Sequence, residues 1–260
     1  MLTKLRELLQ YRELVRNLVV RDLKVRYKSS FLGFLWSLLN PLLMMTVFTL
    51  VFTVMMPNNN IDKFPVFILA ALLPWNWCTF SINGSIGAIV SNANLIKKVY
   101  FPREILPISV VLSNMVNFLF ALIVLFAMLF VFRVELTPMI ALLPVIIVIQ
   151  AIFLLGAALF LSALNVFFRD TEVIMEVAIL AWFFLTPVFY DIHGLFPRYE
   201  RLLYILNPMA SLISSYRLVL LGGAPPDPYF LLRTFVTALA VFVIGYAFFL
   251  RQSRKFGEEL

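Results

Sequence analysis

Six runs of mostly apolar residues, each close to the roughly 20 residues that a helix needs to cross a membrane, constrain this chain more than any other feature. They lie near residues 34–56, 64–90, 107–132, 139–165, 173–190 and 229–250. Charged residues make up 13% of the chain, about half their share in soluble domains, which is too little to cover a water-facing surface. The sequence therefore predicts an all-α integral membrane protein with six transmembrane helices.

Basic residues before the first run predict the orientation of the chain. Arg21, Lys24, Arg26 and Lys28 precede an apolar stretch that continues without a charged residue to Met56. Lys and Arg beside a first span tend to stay in the cytoplasm, and an even number of spans returns the chain to the same side. We therefore expect both termini on the cytoplasmic side of a bacterial inner membrane. Since the basic residues lie at the ends of apolar runs, they fit lipid headgroups better than nucleic acid.

Residues 1–30 are predicted to form an amphipathic helix in the plane of the cytoplasmic membrane surface, ahead of a transmembrane domain that covers residues 31–260. Leu14, Val15 and Leu18 mark its apolar face, and Arg12 and Arg16 lie on the opposite face. Two interpretations are open. The helix either anchors the first span through its positive charge, or it forms a docking surface for a cytoplasmic partner.

The cytoplasmic loop at residues 91–107 mixes charged and aromatic residues, unlike a solvated linker. We expect a short helix that breaks at Pro102 and exposes Val99, Tyr100 and Phe101 among Lys97, Lys98, Arg103 and Glu104. Aromatic and Arg side chains dominate the binding energy of protein interfaces, so this pattern suits insertion into a groove of another protein. An anchor in the membrane interface is the alternative. The second cytoplasmic turn, residues 167–172, is tight, and its Arg169 and Asp170 could cap two helix ends or act in gating.

Residues 191–228 are too many for an unstructured connection in a compact protein. Asn207 and Pro208 are a helix start, with Asn as the N-cap, and Gly222 with Gly223 is a helix stop. The helix between them is too short to span a membrane, so we expect a re-entrant segment. It follows a run that is rich in aromatic residues and broken by Pro187. Those aromatic residues fit either a headgroup belt or a lining on which sugar rings stack.

Little chemistry is predicted for the chain by itself. It has no phosphate-binding loop, no zinc-protease motif and no serine-hydrolase motif. One Cys and one His leave little for a metal site. Glu176 is the only acidic residue well inside an apolar run, whereas gradient-driven transporters usually carry ionisable groups near the midplane. We therefore expect neither an enzyme nor a bound cofactor, and energy supplied by a partner.

Five motifs resemble the membrane subunits of type-2 ABC exporters that move lipid-linked polysaccharides such as O-antigen, capsule and teichoic acid. The motifs are RDLKVRYKSSFLGFLWSLLNP at 21–41, LIKKVYFPREILP at 95–107, FRD at 168–170, LTPVFY at 185–190 and NPMASLISSYR at 207–217. They occur in the family's order and spacing over nearly the whole chain. The resemblance implies a homodimer that joins two copies of a cytoplasmic ATPase, which binds ATP and Mg, and that carries an undecaprenyl diphosphate-linked glycan.

The resemblance, together with the residue patterns, predicts three groups of site residues. The ATPase-coupling group is Arg21, Lys24, Lys97, Lys98, Tyr100, Phe101, Pro102, Arg103 and Glu104. The inner mouth, where basic residues would attract the pyrophosphate, is Arg26, Tyr27, Lys28, Arg169 and Asp170. The channel and its outer gate, between two copies of the chain, are Trp36, Trp75, Trp77, Trp182, Phe183, Phe184, Pro187, Tyr190, Tyr216 and Arg217.

Other functions remain open at this stage. Within the family, export of a drug or another lipid is the nearest alternative. A gradient-driven flippase for lipid-linked sugars would work as a single polypeptide without an ATPase. A membrane enzyme that acts on lipid-linked sugars ranks last, because it should need a cluster of His, Asp or Glu at one membrane face.

Overall fold

The computed structural model describes residues 10–28, 30–55, 61–192, 200–222 and 225–260. Every regular element in these ranges is a helix, which confirms the all-α prediction. Residues 1–9 of the predicted interface helix, His193 and Gly223 lie outside the described residues, as does the side chain of Tyr27.

Eleven α-helices follow one another in the described chain. They are α1 (Arg12–Tyr27), α2 (Trp36–Thr49), α3 (Phe64–Ile86), α4 (Ala93–Lys98), α5 (Ile105–Val131), α6 (Leu143–Phe167), α7 (Thr171–Leu185), α8 (Glu200–Leu206), α9 (Pro208–Arg217), α10 (Pro228–Gln252) and α11 (Phe256–Glu259). Short π-helical segments extend α2 to Met55 and α9 to Gly222, and 3₁₀ turns precede α2, α4, α6 and α11.

Five stretches in the described residues are long and apolar enough to span a membrane: α2 with its extension, α3, α5, α6 with its preceding turn, and α10 with its following turn. The run predicted at 173–190 forms α7, which has 15 residues. At 1.5 Å per residue α7 is about 22 Å long, short of a hydrocarbon core of about 30 Å. The chain then turns through Pro187 instead of continuing as a helix. A sixth crossing therefore stays a prediction.

Helix α3 lies at the centre of the molecule, where α2, α5, α6, α7 and α9 contact it. Its residues 68–73 are nearly inaccessible to solvent. Helix α2 and its extension, by contrast, expose Leu43, Val47 and Leu50 over about half of their surface or more, as expected of a helix that faces lipid or another chain.

Side-chain amides satisfy backbone carbonyls inside this bundle. Gln150 of α6 donates from Nε2 to the carbonyl oxygen of Pro74 at 2.8 Å. Asn165 donates from Nδ2 to the carbonyl oxygen of Ile86 at 3.1 Å. Ile86 is the last residue of α3, so its carbonyl has no partner within the helix. These bonds matter because an unpaired backbone group is costly where no water reaches it.

Helices α6 and α10 approach each other closely at Gly156 and Gly245. A Cβ atom on Gly156 would lie 2.5 Å from the backbone N and Cα of Phe242, and one on Gly245 would overlap the carbonyl oxygen of Gly156. Only glycine fits at this crossing. Small residues let membrane helices approach each other in this way.

A second, smaller core, which we call the cytoplasmic core, lies at the end of the bundle that is predicted to face the cytoplasm. It joins Leu18 of α1, Phe101 of the loop before α5, and Phe249 and Phe256 of the C-terminal segment. Phe256 is fully buried, so the chain folds back on itself after α10. This core fixes the position of the cytoplasmic loop described below.

Candidate functional site

The loop between α4 and α5 presents one aromatic residue to solvent and buries the next. Helix α4 ends at Lys98 and α5 begins at Ile105, which agrees with a short helix ending ahead of Pro102. Tyr100 is 88% exposed, whereas Phe101 is 6% exposed in the cytoplasmic core. The prediction that Phe101 is exposed is therefore wrong, because the cytoplasmic core buries its ring.

Arg103 ties this loop to the C-terminal segment. Its guanidinium donates to the carbonyl oxygen of Ser253 and lies 5.9 Å from the centre of the Phe256 ring. Glu104 is buried as well, at 3% exposure. Lys97 and Lys98 are exposed beside Tyr100. The predicted coupling group thus divides into two sets. Phe101, Arg103 and Glu104 pack into the molecule, and they hold the exposed residues Lys97, Lys98 and Tyr100 in a fixed conformation.

The other predicted coupling residues lie on α1. Arg21 and Lys24 are both exposed. Arg21 pairs with the neighbouring Asp22, with its Nη2 atom 3.0 Å from Oδ1. Helix α1 packs against α5, the helix that the coupling loop leads into. The two predicted docking elements therefore belong to one packed unit at the cytoplasmic end.

Residues predicted for the inner mouth occupy different surroundings. Arg26 donates from Nη2 to Oδ1 of Asn114 at 2.7 Å and lies 5.7 Å from the centre of the Phe80 ring. Lys28, Arg169 and Asp170 are exposed. Asp170 is the N-cap residue of α7, and its side chain makes no capping hydrogen bond. An interaction of its charge with the helix end stays a prediction.

Two cavities meet at Arg26. The one that we call the membrane cavity measures about 570 Å³ and lies between α1, α2, α3 and α5. Its lining residues are Arg26, Trp36, Ser37, Asn40, Pro41, Leu73, Asn76, Trp77, Phe80, Asn114, Asn117, Phe118 and Ala121. The one that we call the cytoplasmic cavity measures about 400 Å³ and is lined by polar residues that include Arg21, Asn83, Asn92 and Glu172. Arg26, Phe80 and Asn114 line both cavities.

The amide side chains of these helices were not assigned to a site from the sequence. Asn114 and Asn117 are three residues apart on α5, and Asn76 and Phe80 are four apart on α3, so each pair shares a helix face. That spacing in otherwise apolar helices was the available signal for the membrane cavity.

Asn207 connects the broken helix α7 to α9. Its Oδ1 accepts from the backbone N–H of Ala210 at 3.2 Å, which confirms the predicted N-cap. The same oxygen accepts from Nε1 of Trp182 at 2.9 Å, and Nδ2 donates to Oγ1 of Thr186 at 2.9 Å and to the carbonyl oxygen of Leu185. One side chain thus caps α9 and holds the C-terminal end of α7.

Arg217 makes a second connection at the other end of α9. It donates to the carbonyl oxygens of Pro187 and Val188, both at 2.6 Å, and more weakly to those of Phe67 and Tyr190. Its guanidinium carbon also lies 3.4 Å from the centre of the Phe67 ring. Together with Asn207, it holds α7, the turn at Pro187 and α9 as one body.

The predicted channel residues divide by exposure. Trp75, Trp77 and Tyr216 are buried within one copy of the chain, at 5% exposure or less. Trp77 stacks on Phe118 at a ring distance of 5.0 Å, and Trp75 contacts Trp182 edge to face. The exposed members are Trp36 and Phe184. A surface groove of about 440 Å³ combines Trp75 with Phe183 and Glu176 of α7.

In the described residues, no group of three or more His, Cys, Asp or Glu side chains could hold a metal ion. The site is therefore a set of cavities, aromatic clusters and one exposed cytoplasmic loop, arranged on a bundle of long apolar helices. These features define a multi-pass helical membrane protein with an exposed aromatic loop at one end and an irregular segment between α7 and α10.

Comparison with known proteins gives the family. The pattern of the ABC-2 type transporter family matches residues 13–221, and the chain belongs to that family. It is 38% identical, over the whole of both chains, to the O-antigen export system permease protein RfbA of Myxococcus xanthus. It is 34% identical to a protein of the same description from Klebsiella pneumoniae, over 92% of each chain. The polysialic acid transport protein KpsM of Escherichia coli matches over 38% of each chain at 30% identity.

Proposed function

We propose that this chain is the permease subunit of an ATP-driven exporter that moves a lipid-linked polysaccharide of the O-antigen type across the bacterial inner membrane. The observation that carries the proposal is the match to an O-antigen export permease from end to end at 38% identity. An end-to-end match covers the coupling loop, the membrane helices and the segment between α7 and α10 alike. The five apolar helices of membrane-spanning length support the location.

A separate cytoplasmic ATPase, which binds ATP and Mg, supplies the energy in this proposal. The contact surface is Tyr100 with Lys97, Lys98 and the exposed basic residues of α1. Exposed aromatic side chains surrounded by charge are typical of residues that dominate binding energy. Because Arg103 and Phe101 fix the loop to the cytoplasmic core, a movement of the ATPase against Tyr100 is transmitted to α5, α1 and the C-terminal segment.

Two copies of the chain, each with its own ATPase subunit, enclose the route of the glycan. Helices α2 and α7 carry the apolar faces that support this arrangement, with Val173, Val177 and Leu180 of α7 exposed by 60% or more. Glu176 interrupts the α7 face and is exposed. A carboxylate that faces lipid is costly, which favours a second copy or a water-filled route beside it. The aromatic side chains of the groove then offer rings on which sugars stack.

The lipid diphosphate is drawn to the inner mouth by its basic residues, which form charge-assisted hydrogen bonds to phosphate oxygens. Arg26 already donates a hydrogen bond to Asn114 of the same copy. Lys28 and Arg169 are therefore the better residues for testing whether the inner mouth attracts the diphosphate. The double variant Lys28→Gln, Arg169→Gln should slow export without changing the assembly of the complex. Unchanged export would remove the pyrophosphate role from these two residues.

The experiment for the whole proposal is transport in sealed vesicles that contain the permease, its copurified ATPase and lipid-linked O-antigen glycan. ATP should move the glycan to the compartment opposite the ATPase, where a lectin detects it. Tyr100→Ala should weaken ATPase binding about tenfold or more and reduce glycan-stimulated ATP hydrolysis. Tyr229→Ala is the matched control, because Tyr229 is similarly exposed at 83% but lies at the other end of the molecule.

Each result separates the proposal from its rivals. Transport by the permease alone, without ATPase or ATP, would replace the exporter with a gradient-driven or passive flippase. ATP hydrolysis that responds to another lipid or a drug, but not to the glycan, would change the substrate class. Equal loss of activity in Tyr100→Ala and Tyr229→Ala would remove the coupling role of Tyr100.

A further inference from the structure

The membrane cavity differs from the proposed glycan route in its position. Its walls come from four helices of a single copy of the chain, α1, α2, α3 and α5. The proposed route instead lies between two copies. A lipid that carried a long polysaccharide into this cavity would leave its sugar chain on the cytoplasmic side, with no path across the membrane. The membrane cavity is therefore separate from the proposed glycan route.

One end of the cavity is positively charged. Among its lining residues Arg26 carries the only full charge, beside the amides of Asn40, Asn76, Asn114 and Asn117. Within the described residues Arg26 has no carboxylate at ion-pair distance, and its observed polar partner is the neutral Asn114. A guanidinium carries five N–H donors, so it retains donors for another acceptor. Phosphate oxygens match its planar geometry.

The rest of the cavity suits a hydrocarbon chain. Leu73, Trp77, Phe118 and Ala121 line the part away from Arg26, and these residues belong to membrane-spanning helices. One wall is α2, the membrane-length helix with the smallest buried share, so the cavity adjoins the lipid. The polar cytoplasmic cavity continues from Arg26 on the other side. The two cavities together therefore suit a molecule whose single anionic group lies between a polar part and an apolar part.

We infer that each copy of the chain binds an anionic phospholipid of the cytoplasmic leaflet in the membrane cavity, with the headgroup phosphate on Arg26 and Asn114. The cytoplasmic leaflet is rich in anionic lipids, which are attracted to Arg at this depth. The volume of about 570 Å³ lies within the range of about 300–1,000 Å³ that is usual for ligand sites. A bound acyl chain lies against Phe118. The centre of the Phe118 ring is 6.0 Å from the centre of the Tyr216 ring of α9, so the acyl chain connects through Phe118 to the segment between α7 and α10.

Lipid retention measured by native mass spectrometry tests this inference on the purified full-length permease. The probe is an equal mixture of phosphatidylglycerol and phosphatidylcholine. The expected result is about one retained phosphatidylglycerol per copy, and Arg26→Gln should bind it about tenfold more weakly. Arg12→Gln is the matched control, because Arg12 is exposed on the same helix and outside both cavities.

A second variant tests the volume of the membrane cavity separately from the charge of Arg26. Ala121→Leu keeps Arg26 but fills the apolar part, so it should reduce phosphatidylglycerol retention while gel filtration shows an unchanged assembly. Equal retention of the two lipids, or unchanged retention in Arg26→Gln, would overturn the inference. Undecaprenyl diphosphate, added at equal concentration, should leave the phosphatidylglycerol in place. Displacement that requires Arg26 would instead make the cavity an entry site for the exported lipid.

Discussion

Replacement of Gly156 by alanine tests whether the crossing of α6 and α10 holds the bundle together. A methyl group at this position would meet the backbone N and Cα of Phe242 at 2.5 Å and the carbonyl carbon of Val241 at 2.6 Å. All three are main-chain atoms inside α10, so no rotamer change removes the overlap. The helices must move apart by about 1 Å to restore an ordinary contact between carbon atoms, which is about 3.5 Å or more.

This separation has a large expected cost. An added methyl group in a well-packed interior usually costs about 1–3 kcal/mol, and this case lies at or above the upper end because backbone atoms cannot yield. Moving the helices apart also removes dispersion contacts along the whole crossing. We therefore expect Gly156→Ala to lower the free energy of unfolding by about 3 kcal/mol or more, although alanine favours a helix over glycine by about 1 kcal/mol.

The measurement is thermal unfolding of the purified permease in detergent, followed by circular dichroism or by light scattering. Gly257→Ala is the matched control, because a Cβ atom at Gly257 of α11 would have no neighbour within 4 Å. Gly84→Ala should lie between the two, since its nearest contact is the side chain of Val110 at 2.9 Å, which can rotate. Equal unfolding temperatures for Gly156→Ala and Gly257→Ala would refute the reasoning.

Substitutions at three further positions probe the polar and aromatic contacts of the bundle by the same unfolding measurement. Asn207→Ala should cost about 2 kcal/mol or more, because it removes the cap of α9 and the bond from Trp182, and Asn207→Asp should cost less, since it keeps the acceptor. Gln150→Leu should cost about 1 kcal/mol, because the bond to the Pro74 carbonyl is lost while the volume is nearly kept. Trp77→Phe should cost about 1 kcal/mol by losing its bond to a carbonyl of α5, and Trp77→Ala about 3–5 kcal/mol by leaving a cavity against Phe118. Equal effects of the two Trp77 substitutions would contradict the stacking role.

The positions of the long helices could be read from the sequence. The runs predicted at 64–90, 107–132 and 229–250 correspond to helices at Phe64–Ile86, Ile105–Val131 and Pro228–Gln252. The reason is physical: apolar residues in a hydrocarbon layer leave the backbone no partner except its own helix. The N-cap at Asn207 could also be predicted from the sequence, because an N-cap is a contact between residues three apart in the chain.

Long-range contacts could not be read in this way. The aromatic ring of Phe101 could point towards solvent or into a core, and the choice depends on Leu18 and Phe256, which lie far away in sequence. Arg103 finds its carbonyl partner 150 positions along the chain, and Arg26 finds Asn114 after 88 positions. Composition and spacing carry no information about such pairs in a single sequence. The cytoplasmic cavity and the membrane cavity could therefore not be predicted from the sequence.

Arg217 and the turn at Pro187 are best understood as one structural feature. A proline turn at the end of a membrane helix leaves carbonyl groups without helical partners in a region where water is scarce. Arg217 supplies donors to the carbonyl oxygens of Pro187, Val188 and Tyr190, and it reaches that of Phe67 on α3 as well. A lysine ammonium group lacks the planar set of N–H donors with which arginine can bond several carbonyl oxygens at fixed positions. The arginine at the end of the NPMASLISSYR motif is thus explained by the backbone of its own chain, without a bound sugar or phosphate. It follows that any opening of the predicted outer gate has to move α7, the turn and α9 together, or break these bonds.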